Sequence, residues 1–168
     1  MRTRRAGLFL AAAAVLASGC HKNRVVTAHD REEAANLVSD AEFAVTIKDF
    51  PRAEDSYRKA AGFTPDDGEI WIRLGIVRLD LHDISGARKA YKRAVSAFQD
   101  DFGKDHTRRV SAMRAAMVLV LLGRPDEARA YAAKCADQAP GDQDLRRFVD
   151  QKGVDRILAD PEMKKITP

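Results

Sequence analysis

Apolar and small side chains recur along the chain at spacings of three and four residues, the period of one face of an α-helix. The clearest such stripe contains Ile84, Ala87, Tyr91, Ala94, Val95 and Phe98. A second helical segment, 71–80, precedes it, and a short polar stretch separates the two. Asp83 stands at the end of that stretch, where its side chain can accept from the first free N–H groups of the following helix. The pattern therefore predicts two helices joined by a tight turn.

The small and aromatic positions of this unit return at fixed intervals. Thirty-four residues earlier stand Ala53, Tyr57 and Ala60, and forty-one residues later stand Ala128, Ala132 and Cys135. The seven additional residues fall in the polar, glycine-containing segment 101–107, which we expect to be a connector inserted between two repeats. Self-similarity at a fixed period predicts a repeat architecture.

The unit resembles the tetratricopeptide repeat, a helix–turn–helix of 34 residues with a W-x2-L-G pattern in its first helix. Trp71, Leu74 and Gly75 have that spacing, and Ala87 with Tyr91 has the A-x3-aromatic spacing of the second helix. In this interpretation Trp71 enters the gap left by Gly75 and the alanines. The resemblance implies an all-α, right-handed α-solenoid of about three helix pairs with C-terminal capping helices. The corresponding ranges are 34–65, 68–99 and 109–140 for the repeats, and 141–168 for the cap.

The first twenty residues have the pattern of an export signal. Arg2, Arg4 and Arg5 precede a short apolar segment, 8–16, which is too short to span a membrane. The ending Gly19-Cys20 resembles the bacterial lipobox. This resemblance implies removal of residues 1–19 and a lipid on Cys20, followed by a short linker over 20–29.

Ala17 stands where the lipobox family prefers leucine, so an ordinary cleaved signal with a free Cys20 remains the alternative. The residue after the cysteine is His21 rather than aspartate. By analogy with bacterial sorting rules, this favours an outer-membrane location facing the periplasm over retention at the inner membrane.

Charge and cysteine content exclude several classes. The chain has a formal net charge of +4, and residues 1–19 hold three arginines and no acid, so the mature chain has only +1. A nearly neutral chain has no general attraction for nucleic acid. Once Cys20 is lipidated only Cys135 remains, so the monomer has no internal disulfide. Cys135 occupies a small-residue position and is predicted to be a buried apolar side chain.

No catalytic constellation appears in the sequence. The four histidines, His21, His29, His82 and His106, lie in predicted linkers or turns and lack metal-ligand spacing. There is no phosphate-binding loop, nucleophile elbow or C-x-x-C motif. We therefore predict a non-enzymatic protein that needs no cofactor and no metal.

The resemblance also implies that the first helices of successive repeats line a concave, peptide-binding groove. Carried over position by position, it gives ten residues, here called the groove set: Val38, Glu42, Ile72, Arg73, Ile76, Leu79, Met113, Arg114, Met117 and Val120. Some family members clamp a peptide carboxylate with basic and amide side chains. Here those positions hold Val38, Glu42 and Glu69, so that clamp is rejected. The remaining apolar stripe suits an external segment with apolar anchors, or is internal core, or is filled by the chain's own C-terminal tail.

These observations predict a membrane-anchored adaptor lipoprotein that binds a protein or peptide in the cell envelope. Two versions remain open: a pilotin-like lipoprotein and an accessory factor in envelope assembly. The alternatives are a docking subunit for an envelope enzyme, or a self-associating structural lipoprotein. The sequence does not determine the partner or the oligomeric state.

Overall fold

The computed structural model describes residues 25–168, which form nine α-helices and contain no strand. The predicted signal segment, Cys20 and His21 lie outside this range. The helices in chain order are α1 (Ala28–Thr46), α2 (Phe50–Phe63), α3 (Gly68–Asp80), α4 (Ile84–Lys104), α5 (Arg109–Leu121), α6 (Pro125–Gln138), α7 (Gln143–Asp150), α8 (Gly153–Ala159) and α9 (Pro161–Lys165). None of the helices between residues 25 and 168 combines the length and apolarity that a membrane span requires.

Successive helices pack on one another from α1 to α8, which confirms the all-α solenoid. The three pairs α1–α2, α3–α4 and α5–α6 are the predicted repeats. Each pair is joined by a three-residue turn, at 47–49, 81–83 and 122–124. Four-residue connectors, at 64–67, 105–108 and 139–142, lead from each pair to the next helix. The helices α7 and α8 then close the open face of the third pair, as the predicted cap would.

The three turns share one backbone conformation at equivalent positions. Lys48, His82 and Gly123 all have positive φ, of 59°, 60° and 73°. In the middle turn the N–H of His82 donates to the carbonyl of Leu79 over 2.9 Å, which satisfies an acceptor at the end of α3. The carboxylate of Asp83 accepts from the N–H of Gly86 over 2.8 Å, so its predicted role as an N-cap is confirmed.

The structure corrects the interpretation of the seven-residue insertion. The helix α4 has 21 residues, whereas its equivalents α2 and α6 have 14 each. All seven extra residues are therefore added to α4, and the connector after it keeps the common length of four. Phe102 is the physical reason, because it extends the apolar stripe of α4 and is only 2% exposed. The prediction of an inserted connector at 101–107 was wrong because the polar residues there and Gly103 resemble a loop.

Gly75 marks the closest approach of α3 and α4, but Tyr91 rather than Trp71 fills the space beside it. A Cβ atom built on Gly75 would lie 2.3 Å from Cε1 of Tyr91, so only glycine leaves room for the ring. Trp71 is half-buried, and its indole N–H donates to the carbonyl of Pro65 over 3.0 Å. The W-x2-L-G pattern thus identified the close contact correctly and assigned the wrong aromatic to it.

The first repeat replaces an apolar pair with a polar one. Asp40 and Ser56 stand where the second repeat has Leu74 and Ala90. The hydroxyl of Ser56 donates to the carboxylate of Asp40 over 2.6 Å, and the guanidinium of Arg52 also binds that carboxylate. Both replacements occur together because each polar group satisfies the other across the α1–α2 contact.

The helix α1 begins earlier than predicted. Thr27 is its N-cap, and its hydroxyl accepts from the N–H of Asp30 over 3.1 Å. The carboxylate of Asp30 accepts in return from the N–H of Thr27 over 2.9 Å, which completes a capping box. Residues 28 and 29, predicted as linker, are therefore helical.

Candidate binding groove

The apolar members of the groove set from the second and third repeats come together in one cluster. Ile72 and Val120 are buried, and Ile76, Met113 and Met117 are half-buried against the same cluster. Val38 instead packs against a separate cluster, which joins α1 and α2 to α3. The side chain of Leu79 is half-buried near the end of α3. The structure thus places five of the ten residues in one hydrophobic cluster along α3 and α5, and its three half-buried members give this cluster an apolar surface.

Two ion pairs edge this surface, and each joins neighbouring first helices. The guanidinium of Arg73 on α3 binds the carboxylate of Glu42 on α1. Nε of Arg114 on α5 lies 2.9 Å from Oε1 of Glu69 on α3. Arg73 and Arg114 occupy the same position in successive repeats, and each pairs with a carboxylate on the preceding first helix. Exposed ion pairs of this kind contribute about 0.2–1 kcal/mol each to stability. They also neutralise the charges of Arg73 and Arg114, for which the sequence alone gave no partner.

The residues after α8 fold back on α4 and on the cluster that holds the apolar groove residues. In the segment 161–168, here called the tail, Met163 and Ile166 pack against the cluster that holds the apolar groove residues. The hydroxyl of Tyr91 on α4 donates to the carbonyl of Ile166 over 2.7 Å. Nη2 of Arg88 donates to the carbonyl oxygen of Pro168 over 3.2 Å. Of the alternatives left open by the sequence, these contacts favour the chain's own tail, which packs on the cluster that the apolar groove residues join.

The tail has its own local structure, centred on the short helix α9. Asp160 is its N-cap and accepts from the N–H of Glu162 over 2.9 Å. Nζ of Lys165 lies 2.7 Å from Oε1 of Glu162, and Thr167 donates to the carbonyl of Met163 over 2.7 Å. Met163 and Ile166 are three residues apart and face the molecule, while Lys164 and Lys165 are exposed.

Two other candidate groups have ordinary structural roles. Cys135 is fully buried on α6, as predicted, and burial raises the pKa of its thiol, so the thiol remains protonated. Nδ1 of His106 lies 2.8 Å from the carbonyl oxygen of Phe102, at the end of α4. Across residues 25–168 no group of histidine, cysteine and acidic side chains is arranged to hold a metal ion.

A basic cleft lies on the second repeat. It encloses about 370 Å³ between α3 and α4 and is lined by Trp71, Arg78, Lys89, Ala90, Lys92 and Arg93. Arg78 is already paired, with its Nη2 lying 2.8 Å from Oε1 of Glu54 on α2. The cleft brings Trp71 together with Ala90 and the basic residues of α4.

The comparison with protein families agrees with this geometry. The model for the tetratricopeptide repeat matches residues 66–142, which include the second and third repeats but not α1 and α2. No curated protein matches the chain. Repeats of this family typically form non-catalytic scaffolds for protein–protein interaction, and the matched part of this chain has the same helix pairs.

Proposed function

We propose that this protein is a lipid-anchored adaptor of the bacterial cell envelope that captures a segment of a partner protein without catalysing a reaction. One observation carries the proposal. On the first helices α3 and α5, Ile76, Met113 and Met117 are partly exposed side chains of one hydrophobic cluster. Paired charges lie on the same helices, and the scaffold matches a family of protein-binding repeats. Ordered helices with apolar anchors recognise extended or helical segments in this way.

The location is proposed from the sequence of residues 1–20. Three arginines, a short apolar segment and Gly19-Cys20 support export followed by lipidation of Cys20. Two or more acyl chains hold a protein stably at a membrane, because each buried CH2 contributes about 0.8 kcal/mol. His21 favours the outer membrane over the inner one. The helix α1 begins at Ala28, so only a few residues would separate the lipid from the folded repeats.

The adaptor role has two specific forms, a pilotin-like function and assistance in envelope assembly. Both need a peptide-binding surface and an anchor, and neither needs chemistry from this chain. The side chains along the groove support such a role. The aliphatic and methionine side chains adapt to varied partners, and Arg73 and Arg114 are held by carboxylates rather than aimed at a substrate.

Substitution of two groove residues tests the proposal. Ile76→Asp combined with Met117→Asp places two charges on the apolar surface, and we expect crosslinking in intact envelopes to lose the partner that the wild-type chain captures. Ile84→Asp is the matched control, because Ile84 is 46% exposed at the start of α4 and lies outside the groove set. Undiminished capture by a folded double variant would show that the partner binds elsewhere.

The anchor is tested separately. Cys20→Ser should abolish incorporation of labelled palmitate and move the protein from the membrane fraction to the soluble periplasmic fraction. Retention of label in the variant would exclude Cys20 as the lipid site. Activity of the purified protein alone on an envelope substrate would contradict the non-enzymatic assignment.

A further inference from the structure

We propose that the natural ligand of the groove is a short helical turn with two apolar anchors three residues apart, and that the tail is its intramolecular stand-in. This inference rests on the proposed function and specifies the chemistry of the partner. The tail itself shows what the surface accepts: Met163 and Ile166 as anchors on one side of a single turn, with lysines on the other.

The contacts of the tail are those of a bound peptide. Its apolar side chains pack against the hydrophobic cluster that includes Ile72, and two of its backbone carbonyls accept from side chains of α4. Tyr91 donates one of these hydrogen bonds. Burial raises the pKa of its hydroxyl, so the proton needed for donation is retained at neutral pH. Hydrogen bonds to backbone carbonyls do not depend on the side chains of the bound segment, so Tyr91 and Arg88 can hold segments of different sequence.

The tail is also held loosely enough to be replaced. The helix α9 has five residues, and a helix of that length does not persist without tertiary contacts. Its main helix neighbour is α8, while α8 itself packs against α5, α6 and α7. Met163 and Ile166 are only half-buried. A partner with a longer apolar stripe gains more contact on the same surface than the tail does.

The partner predicted from these contacts is a helical segment of another protein, with Met-, Ile- or Leu-like residues at positions i and i+3. Its outward face tolerates charge, because Lys164 and Lys165 of the tail are exposed. Asp160 and Pro161 start the turn of the tail, and an equivalent N-cap in the partner would favour the same conformation.

A binding measurement tests the inference on the full chain in detergent. The probe is a fluorescein-labelled peptide with the sequence of residues 159–168, and fluorescence polarisation reports its binding. Met163→Asp with Ile166→Asp should release the tail and expose the groove. A tail that closes the groove nine-tenths of the time weakens binding about tenfold, so the variant should bind the probe about tenfold more tightly than the wild type.

Three controls make the result specific. Lys164→Ala with Lys165→Ala changes only exposed tail residues and should bind like the wild type. Tyr91→Phe keeps the buried ring but removes the hydrogen bond to the carbonyl of Ile166 from the tail and from the probe alike, so it should change probe binding far less than the double aspartate variant does. Adding Ile76→Asp and Met117→Asp to the released tail should abolish binding.

Equal probe binding by wild type and released variant, with both folded by circular dichroism, would overturn the inference. So would a dimer of the wild type that dissociates in the released variant, because the tail would then be exchanged between two copies. The proposed function fails by a different result, namely partner capture that survives Ile76→Asp with Met117→Asp. The two failures are therefore distinguishable.

Discussion

At the scale of single residues, the contact between Gly75 and Tyr91 determines how closely α3 and α4 approach. The sequence pattern located Gly75, which has no side chain, but it did not identify the Tyr91 ring that lies beside it. Trp71 and Tyr91 are both aromatic and both lie at helical spacing from small residues, so periodicity alone does not distinguish them.

Replacement of Gly75 tests this contact. Gly75→Ala puts a methyl group 2.3 Å from the Tyr91 ring, and we expect overpacking to lower the free energy of unfolding by about 1–3 kcal/mol in urea denaturation. Gly62→Ala is the matched control, because nothing lies within 4 Å of its new Cβ on α2. That substitution should leave stability unchanged or raise it by up to about 1 kcal/mol. A neutral Gly75→Ala would show that Tyr91 has room to move.

Asp40 gives a residue-scale prediction that depends on pH. Hydrogen bonds from Arg52 and Ser56 lower the pKa of its carboxyl below the usual value. The resulting stability is present above the unfolded pKa, near 3.9, and is lost as the pH falls through the lower folded pKa. Asp40→Asn should therefore lower the urea midpoint at pH 7, and its difference from the wild type should shrink below about pH 4. The exposed Asp137→Asn provides the control, and a pH-independent difference for Asp40→Asn would contradict the charge-based explanation.

At the scale of helices, the sequence predicted which elements exist better than where they end. Apolar stripes at spacings of three and four gave all three helix pairs, and Asp83 correctly marked the start of α4. The end of α4 was misplaced because its last turns are polar on the outside. In the last turns of α4, over 99–104, only Phe102 is buried, and acidic residues stand beside it in the sequence. This segment therefore resembles a loop when the sequence is read alone.

Phe102 tests that the insertion is structural helix. Phe102→Ala removes a ring that packs with Ala112, Cys135 and Leu145, and losses of buried Phe side chains are about 3–5 kcal/mol. Thermal unfolding should show a clear drop in Tm. Phe43→Ala is the control of the same type, since Phe43 is 56% exposed, and should cost far less. Similar Tm values for both variants would mean that the end of α4 does not contribute to the fold.

At the scale of the whole molecule, repeats contact mainly their neighbours, so coupling along the array depends on a few shared side chains. Trp71 is one of them, because it packs against the cluster that joins α1 and α2 to α3 and also against the larger cluster of the second and third repeats. The period of the sequence predicted the solenoid as a whole. The sequence named the tail as one of three alternatives for the apolar stripe, and periodicity could not choose among them. The pair Glu69–Arg114 was not predictable, because it joins residues far apart in the chain through side-chain geometry alone.

The role of Trp71 is measurable by hydrogen exchange. Trp71→Ala should weaken the junction, so amides of α1 and α2 should lose protection by about tenfold or more, equivalent to about 1.4 kcal/mol, while those of α5 and α6 change less. Phe148→Ala, which removes an aromatic of the larger cluster in the cap, should give the reverse distribution. A uniform loss of protection in both variants would instead show that the molecule unfolds as a single unit.

The lengthening of α4 has a consequence for how such arrays diversify. Seven residues rotate a helix by about 700°, only about 20° short of two complete revolutions, so Phe102 continues the buried side of α4 without a change in facing. An addition of five residues would turn the same side chain by about 140° away from its neighbours. An insertion close to a whole number of helical turns, such as these seven residues, lengthens one helix by about 10 Å and keeps the side chains of that helix facing the same neighbours. The lengths open to such repeats are therefore set by helical phase rather than by composition.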